Sequence, residues 1–230
     1  MKESSNFDEN ASDGIPEPIS QGEYRAQTEA DRRMEEISTS IKRICKETIR
    51  NAQASDRDIS RQEEIEAERF AKENGLWIPF RNIDNFGEPY PGGNENIVYY
   101  SQGESAVYKV NNLINAGSIT KLITQILLHN KIFPDTPYEF VGFSGFDGRS
   151  IYPVFKQSHI DISSFATPEE ISYYMLSLGF NQLSDSKFAD EKYTVSDLFP
   201  RNVLKDIQGN IYVIDDIIKE NHIHPSNNLE

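Results

Sequence analysis

The chain has 230 residues, 37 of them acidic against 23 basic, for a formal net charge of −14. Acid excess spread along the whole chain repels phosphate backbones and anionic lipid, which argues against nucleic-acid or membrane-surface partners. No apolar run approaches the ~20 residues of a membrane span, the polar start lacks a secretory apolar stretch, and the single cysteine, Cys45, admits no intrachain disulfide; a cytoplasmic protein is the expectation.

Residues 1–20 are polar, with Gly14, Pro16 and Pro18, and read as disordered. From about Glu23 to Asn74 the chain is rich in Glu, Arg, Ala and Gln and free of proline and glycine, which favours helix. Ile37, Ile41, Ile44 and Thr48 mark a thin apolar stripe, and Ile65 and Phe70 stand among charges. Residues 21–75 therefore read as a polar helical arm, one that packs only in part or serves a partner. Of the 13 Phe, 11 Tyr and single Trp, only Phe7, Tyr24 and Phe70 precede residue 76, so the core is expected in 76–230. Proteolysis should then leave a core that starts between about Arg61 and Trp77.

Gly75 is placed to end the arm as a C′ glycine, and Trp77 follows as its anchor. Ile97–Ser101 and Ala106–Val110 read as strands. Ser118 is a candidate N-cap for a helix with Ile119, Leu122, Ile123, Ile126 and Leu127 on one face. Tyr138–Gly142 and Ser150–Lys156 read as strands joined through Asp147-Gly148. Thr167, Pro168 and Glu170 form a capping-box signature for the next helix, closed by Gly179. A further strand, Ile211–Ile214, follows the turn Gly209-Asn210. The pattern is α+β. The four histidines, His129, His159, His222 and His224, show no zinc spacing, and the last two read as solvated.

The chemistry concentrates in Ser196-Asp197-Leu198-Phe199-Pro200-Arg201-Asn202-Val203-Leu204, then Gly-Asn-Ile-Tyr-Val-Ile-Asp ending at Asp215. Asp, Pro and Asn could make only a hydrogen-bonded turn here, and Asp215 only a solvated strand end. The ordered set of loop, turn, strand and carboxylate instead resembles the protein kinase pattern Asp-Leu-x-x-x-x-Asn with its later metal-binding Asp. It is most similar to the serine/threonine kinase-like domains of polyvalent proteins from phages and conjugative elements, over roughly residues 76–218. Val107-Tyr108-Lys109-Val110 resembles the family's lysine strand. Pro91-Gly92-Gly93-Asn94-Glu95-Asn96 reads equally as a phosphate-covering loop or a plain surface turn.

The resemblance implies a kinase-like fold, with a small antiparallel-sheet N-lobe over about 76–157 and a truncated helical C-lobe over about 158–230. It implies ATP and Mg²⁺ as cofactors, with Asp197 as catalytic base and Asn202 and Asp215 as metal ligands. Gly92, Gly93, Lys109 and Phe155 would contact the nucleotide. The pattern departs from the family at three places. Val195 stands where His or Tyr is usual, Asp216-Ile217 replaces Phe-Gly, and the Ser118 helix has no Glu to pair with Lys109. Gln125 is the nearest residue to that place, and Glu95 or Glu104 could supply the carboxylate. With about 15 residues after Asp215, the expected action is on Ser/Thr hydroxyls of the chain itself or of one unknown protein partner, the arm offering Ser38, Thr39, Ser40 and Ser55. The alternatives are a pseudokinase used as a binding or regulatory module, or a small-molecule kinase of the aminoglycoside or choline type.

Overall fold

The computed structural model describes residues 24–49, 55–90, 93–146, 148 and 150–221. The expected disorder of residues 1–20, Gly92 of the glycine turn, Asp147 of the hairpin turn, and His222 and His224 lie outside these residues.

Two helices come first, α1 (Glu29–Ile49) and α2 (Asp56–Glu73). Ser55 opens α2 with a capping box: its side chain accepts from Asp58 N, and the Asp58 side chain accepts from Ser55 N. Gly75, at φ 68°, stops the helix, since a Cβ there would meet the left-handed penalty. The chain then enters a six-stranded sheet built from β1 (Trp77–Pro79), β2 (Glu88–Tyr90), β3 (Asn96–Tyr100), β4 (Ala106–Asn111), β5 (Glu139–Phe146) and β6 (Ser150–Ser158). Its order is β1-β5-β6-β4-β3-β2, antiparallel except for the β1–β5 pair. Gly142 permits that pair: a Cβ on it would lie 2.4 Å from Leu76 O, the carbonyl that accepts from Phe143 N.

Between β4 and β5 runs α3 (Ile119–Ile132), capped by Ser118 as the sequence suggests. Its buried positions are Ile119, Thr120, Leu122, Ile123 and Ile126, then His129, Asn130 and Ile132. The remaining elements are β7 (Ile162–Phe165), α4 (Pro168–Ser177), β8 (Asn181–Ser184), β9 (Lys187–Ala189), β10 (Tyr193–Ser196), β11 (Val203–Asp206), β12 (Ile211–Val213) and β13 (Ile217–Glu220). They form sheets of order β13-β10-β9-β8 and β12-β11-β7. Thr167 and Glu170 close the capping box of α4, with Pro168 at its start. The fold is kinase-like and α+β: a mainly antiparallel sheet with its crossing helix, followed by a smaller C-terminal part. Among the described residues after 158, α4 is the one α-helix; the polar stretch 180–194 holds the short strands β8, β9 and the start of β10, and residues 217–220 form β13.

The arm is not loosely attached. Met34, Ile37, Ile41 and Cys45 of α1 and Ala67 and Ala71 of α2 share one buried cluster with Ile119, Leu122, Ile123 and Ile126 of α3 and with Phe143 and Phe155 of the sheet. The expectation of partial packing fails because the stripe on α1 runs through Met34 and Cys45 and not through Ile44. On α2 small alanines make the contact while Ile65 stays exposed. Burial, with Glu63 and Glu66 adding negative field, pushes the Cys45 thiol up to about 11, so it acts as a packing group.

Candidate functional site

β4 and β6 carry Lys109 and Phe155 opposite one another. Both are buried, at 5% and 1% exposure. The Lys109 ammonium donates to the Tyr138 hydroxyl at 2.8 Å and to Ile214 O at 2.7 Å, and the Tyr138 hydroxyl donates to the same carbonyl at 2.7 Å. Burial pulls Lys109 below the ordinary lysine range, while the charges of Asp215 and Asp216 push it back. The same burial raises the Asp215 carboxyl; Lys109 opposes that, and Asp216 and Glu95 add to it. Burial also lifts the Tyr138 phenol far above its usual value, so it stays protonated and donates.

Glu95 and Glu104 do not pair with Lys109. Glu95 accepts from Asn115 Nδ2 at 2.6 Å, and Glu104 sits in an exposed turn. Lys109 is instead held by a hydroxyl and a carbonyl within the field of two aspartates. Glu95, Asn111, Gln125, His129, Tyr138, Phe155, Asp215 and Asp216 all line one small cleft between α3 and the end of β12.

Sequence reasoning missed His129 and Tyr138. His129 Nε2 lies 2.9 Å from Thr136 O, which can only accept, so Nε2 carries a proton. His129 Nδ1 lies 3.1 Å from Asp216 Oδ2. Thr136 O also accepts from Gln157 Nε2 at 2.7 Å, and Thr136 Oγ1 donates to Val213 O at 2.5 Å. These bonds fasten α3, β6 and β12 around the segment that delivers Asp215. One signal was legible: Leu122, Ile126 and His129 fall at i, i+4 and i+7 on the apolar face of α3. Tyr138 had none beyond its place at a strand start.

Asp197 and Asn202 occupy the loop between β10 and β11, outside the cleft lining. Asp197 has φ 66°, in the left-handed region that Asp tolerates better than most residues. Asn202 Nδ2 donates to Asp197 O at 2.7 Å and to Asp197 Oδ2 at 2.8 Å, and Phe199 N donates to Asp197 O at 2.9 Å. Arg201 pairs with Asp197 Oδ1 at 3.2 Å from an exposed position. Asn202 O in turn accepts from Ile214 N at 2.9 Å. One backbone bond thus links the Asp197–Asn202 loop to the residue that precedes Asp215 and holds Lys109. The structure therefore joins Lys109, Phe155 and Asp215 on one side to Asp197 and Asn202 on the other.

Gly93 is exposed, with φ 86°. It belongs to the turn before β3 whose next residues are tied to the end of β4: Asn94 O accepts from Asn112 Nδ2 and Glu95 O from Asn112 N. Gly93 does not line the cleft. Among the described residues no group of three or more His, Cys, Asp or Glu is placed to hold a metal, and no helix is long and apolar enough to cross a membrane.

No curated protein matches the chain. A family model described as Kinase-PolyVal, serine/threonine/tyrosine kinase found in polyvalent proteins, matches residues 60–222, beginning inside α2. With most of its length in that match, and with the lysine strand, crossing helix and Asp-loop already traced, the chain belongs to the kinase family of polyvalent proteins.

Proposed function

We propose that the chain transfers the γ-phosphoryl group of ATP, with Mg²⁺, to a Ser or Thr hydroxyl. The observation that carries this reading is the hydrogen-bonded unit Asp197–Asn202–Ile214. It ties the Asp197 carboxylate and the Asn202 amide, through one backbone bond, to the residue that precedes Asp215 and whose carbonyl holds Lys109. In this reading Asp197 orients the hydroxyl and accepts its proton. Lys109, with two of its three N–H groups already bonded, offers the third to a phosphate oxygen. Phe155 packs against the nucleotide end of the cleft, and the Gly93 backbone covers the phosphates.

The donor set suits Mg²⁺. Asn202 spends both amide N–H contacts on Asp197, which leaves its Oδ1 as an acceptor. The half-buried Asp215 carboxylate is crowded by Asp216 and Glu95, so a divalent cation relieves it. Mg²⁺ takes one or two protein oxygens and fills its shell with phosphates and water, so a full protein cage is not needed. The bound cation would supply charge neutralisation at the phosphates.

The hydroxyl acceptor belongs to the chain itself or to a dedicated partner. Residues 217–220, directly after Asp215, are spent in β13, paired with β10 from Ile217 opposite Ser196, and so offer no free platform for a generic peptide. Within the arm, Ser38 is buried and Ser55, though exposed, spends its side chain capping α2; the exposed Thr39 and the half-buried Ser40 are the remaining candidates for self-modification.

The closed bonding of Lys109 to Ile214 O favours a second reading, a nucleotide-binding module without turnover. Incubation with γ-labelled ATP and Mg²⁺ beside Asp197→Ala decides between them. Label in the wild type alone supports transfer, and equal label or none overturns it. Mg-ATP should raise the melting temperature, by about 2.7 kcal/mol of stabilisation at a hundredfold excess over Kd. Asp215→Ala should remove most of that shift; an unchanged shift would place this carboxylate outside the site.

A further inference from the structure

We infer that Tyr138 is the positioning residue of the phosphate-contacting lysine, in place of a helix carboxylate, and that helix α1 sets it through Asn130 and Asp31. The inference rests on the proposed reading of Lys109. α3 contains no acidic residue, and the Lys109 ammonium is bonded to the Tyr138 hydroxyl at 2.8 Å, with the Tyr138 ring 4.7 Å away. A phenol does two things for an ammonium that a carboxylate does not. It accepts without neutralising, so the lysine keeps its charge for phosphate. It also donates onward, here to Ile214 O, which fixes its own direction.

Tyr138 is in turn held through its backbone. Its N–H donates to Asn130 Oδ1 at 2.7 Å, and its carbonyl accepts from Asn130 Nδ2 at 2.8 Å. Asn130 is 1% exposed, and its amide also donates to Asp31 Oδ1 of α1 at 2.8 Å. Asp31 is 4% exposed and is held by Thr28 and Arg25. A buried line of polar contacts therefore runs from the arm to the ammonium: Asp31, Asn130, Tyr138, Lys109. Each link is a directional hydrogen bond between groups that cannot turn to water, so displacement at one end is felt at the other. At the opposite end of α3, Glu63 of α2 accepts from Thr120 Oγ1 at 2.7 Å and Thr120 N at 3.3 Å. The arm thus grips α3 at both ends.

The test is Tyr138→Phe in the full chain, which keeps the ring and deletes one hydroxyl. Two readouts are needed. The first needs no nucleotide: acylation of lysines by a small amine-reactive anhydride, followed by peptide mass spectrometry. Lys109 labelling should rise several-fold, while Lys131 and Lys205, which have partners elsewhere, keep their wild-type rates. Unchanged Lys109 labelling overturns the inference, and a rise at all three lysines overturns it too, since that is general loosening. The second is Mg-ATP affinity by calorimetry. Losing one hydrogen bond to a charged group should weaken binding about tenfold, ~1.4 kcal/mol, and adding Tyr138→Phe to Lys109→Met should cost nothing more. Additive losses overturn the inference. Asp31→Asn should raise Lys109 labelling in the same direction and by less; no rise overturns the role of α1. If the wild type binds no Mg-ATP while Lys109 labelling still answers to Tyr138→Phe, the nucleotide reading fails and the positioning stands.

Discussion

The two ends of the candidate site, the lysine network beside the cleft and the Asp197 loop outside its lining, are built on opposite terms. At the Lys109 end, the ammonium, Tyr138, His129, Thr136 and Asn130 are all buried, and each is hydrogen-bonded. At the Asp197 end, the carboxylate is about one-third exposed, and its ion pair with Arg201 is open to solvent. A water-screened pair of that kind adds little stability. A buried network is costly to disturb, because each orphaned group keeps its full desolvation penalty. Under the proposed function, folding and activity are thus coupled at the lysine end and nearly independent at the aspartate end.

The sharpest way to break this contrast is to remove α1. Deleting residues 24–49 uncovers the α3 face and strips Met34, Ile37 and Ile41 from the core. At about 1.5–3 kcal/mol for each buried side chain, the loss takes most of the ~5–15 kcal/mol that holds a domain together. The expected product is aggregated or lacks a cooperative melting transition in circular dichroism. A well-folded, nucleotide-binding remnant would show that the arm is separable after all.

Asp197→Asn addresses the other end. Asparagine accepts the left-handed φ of 66° and can still present an oxygen to Asn202 Nδ2. Only the exposed Arg201 loses its partner. The melting temperature should therefore stay within about 0.5 kcal/mol of wild type. Phosphoryl transfer should fall by roughly 10²–10⁴, the usual worth of a positioned general base. A large loss of stability would show that the loop is as tightly coupled to the fold as the lysine end.

The hydrogen-bonded loop at the aspartate end was legible in the sequence because it is local. Asp197, Asn202 and Asp215 sit in one short stretch whose turn residues fix their own geometry. The capped helices α3 and α4 and the strands around Lys109 were legible for the same reason. The lysine end was not. Tyr138 and Asn130 are eight residues apart, but Asp31 reaches Asn130 across 99 positions and Ile214 reaches Tyr138 across 76. No pattern of period two or 3.6 encodes such pairings. The short strands β8, β9 and β13 were hidden as well. β8 is exposed throughout, and β9 and β13 are three and four residues long with one buried side chain each, Phe188 and Ile218; their pairing partners, not their composition, define them. The arm was misread because its burial depends on which face meets α3.

The smallest of the three effects, and the finest test of the contrast, is Asp31→Asn. Asp31 accepts from Asn130 on one oxygen and from Thr28 N, Thr28 Oγ1 and Arg25 on the other. An amide keeps one of these sets and turns an NH₂ group toward the donors of the other, which costs about 2 kcal/mol in a buried site. Burial alone would raise the Asp31 carboxyl, but the donors from Asn130, Thr28 and Arg25 outweigh it and hold it below the ordinary 3.8. A depressed carboxyl stabilises the fold above its unfolded value and stops doing so as pH falls through the folded one. The stability gap between wild type and Asp31→Asn should therefore be full and flat at neutral pH and narrow only as the pH drops below the ordinary 3.8. Thermal melts across that range read it directly. A gap already closing at pH values well above 3.8 would mean that Asp31 is not held ionised by its donors, and the lysine end would then lose its anchor in the arm.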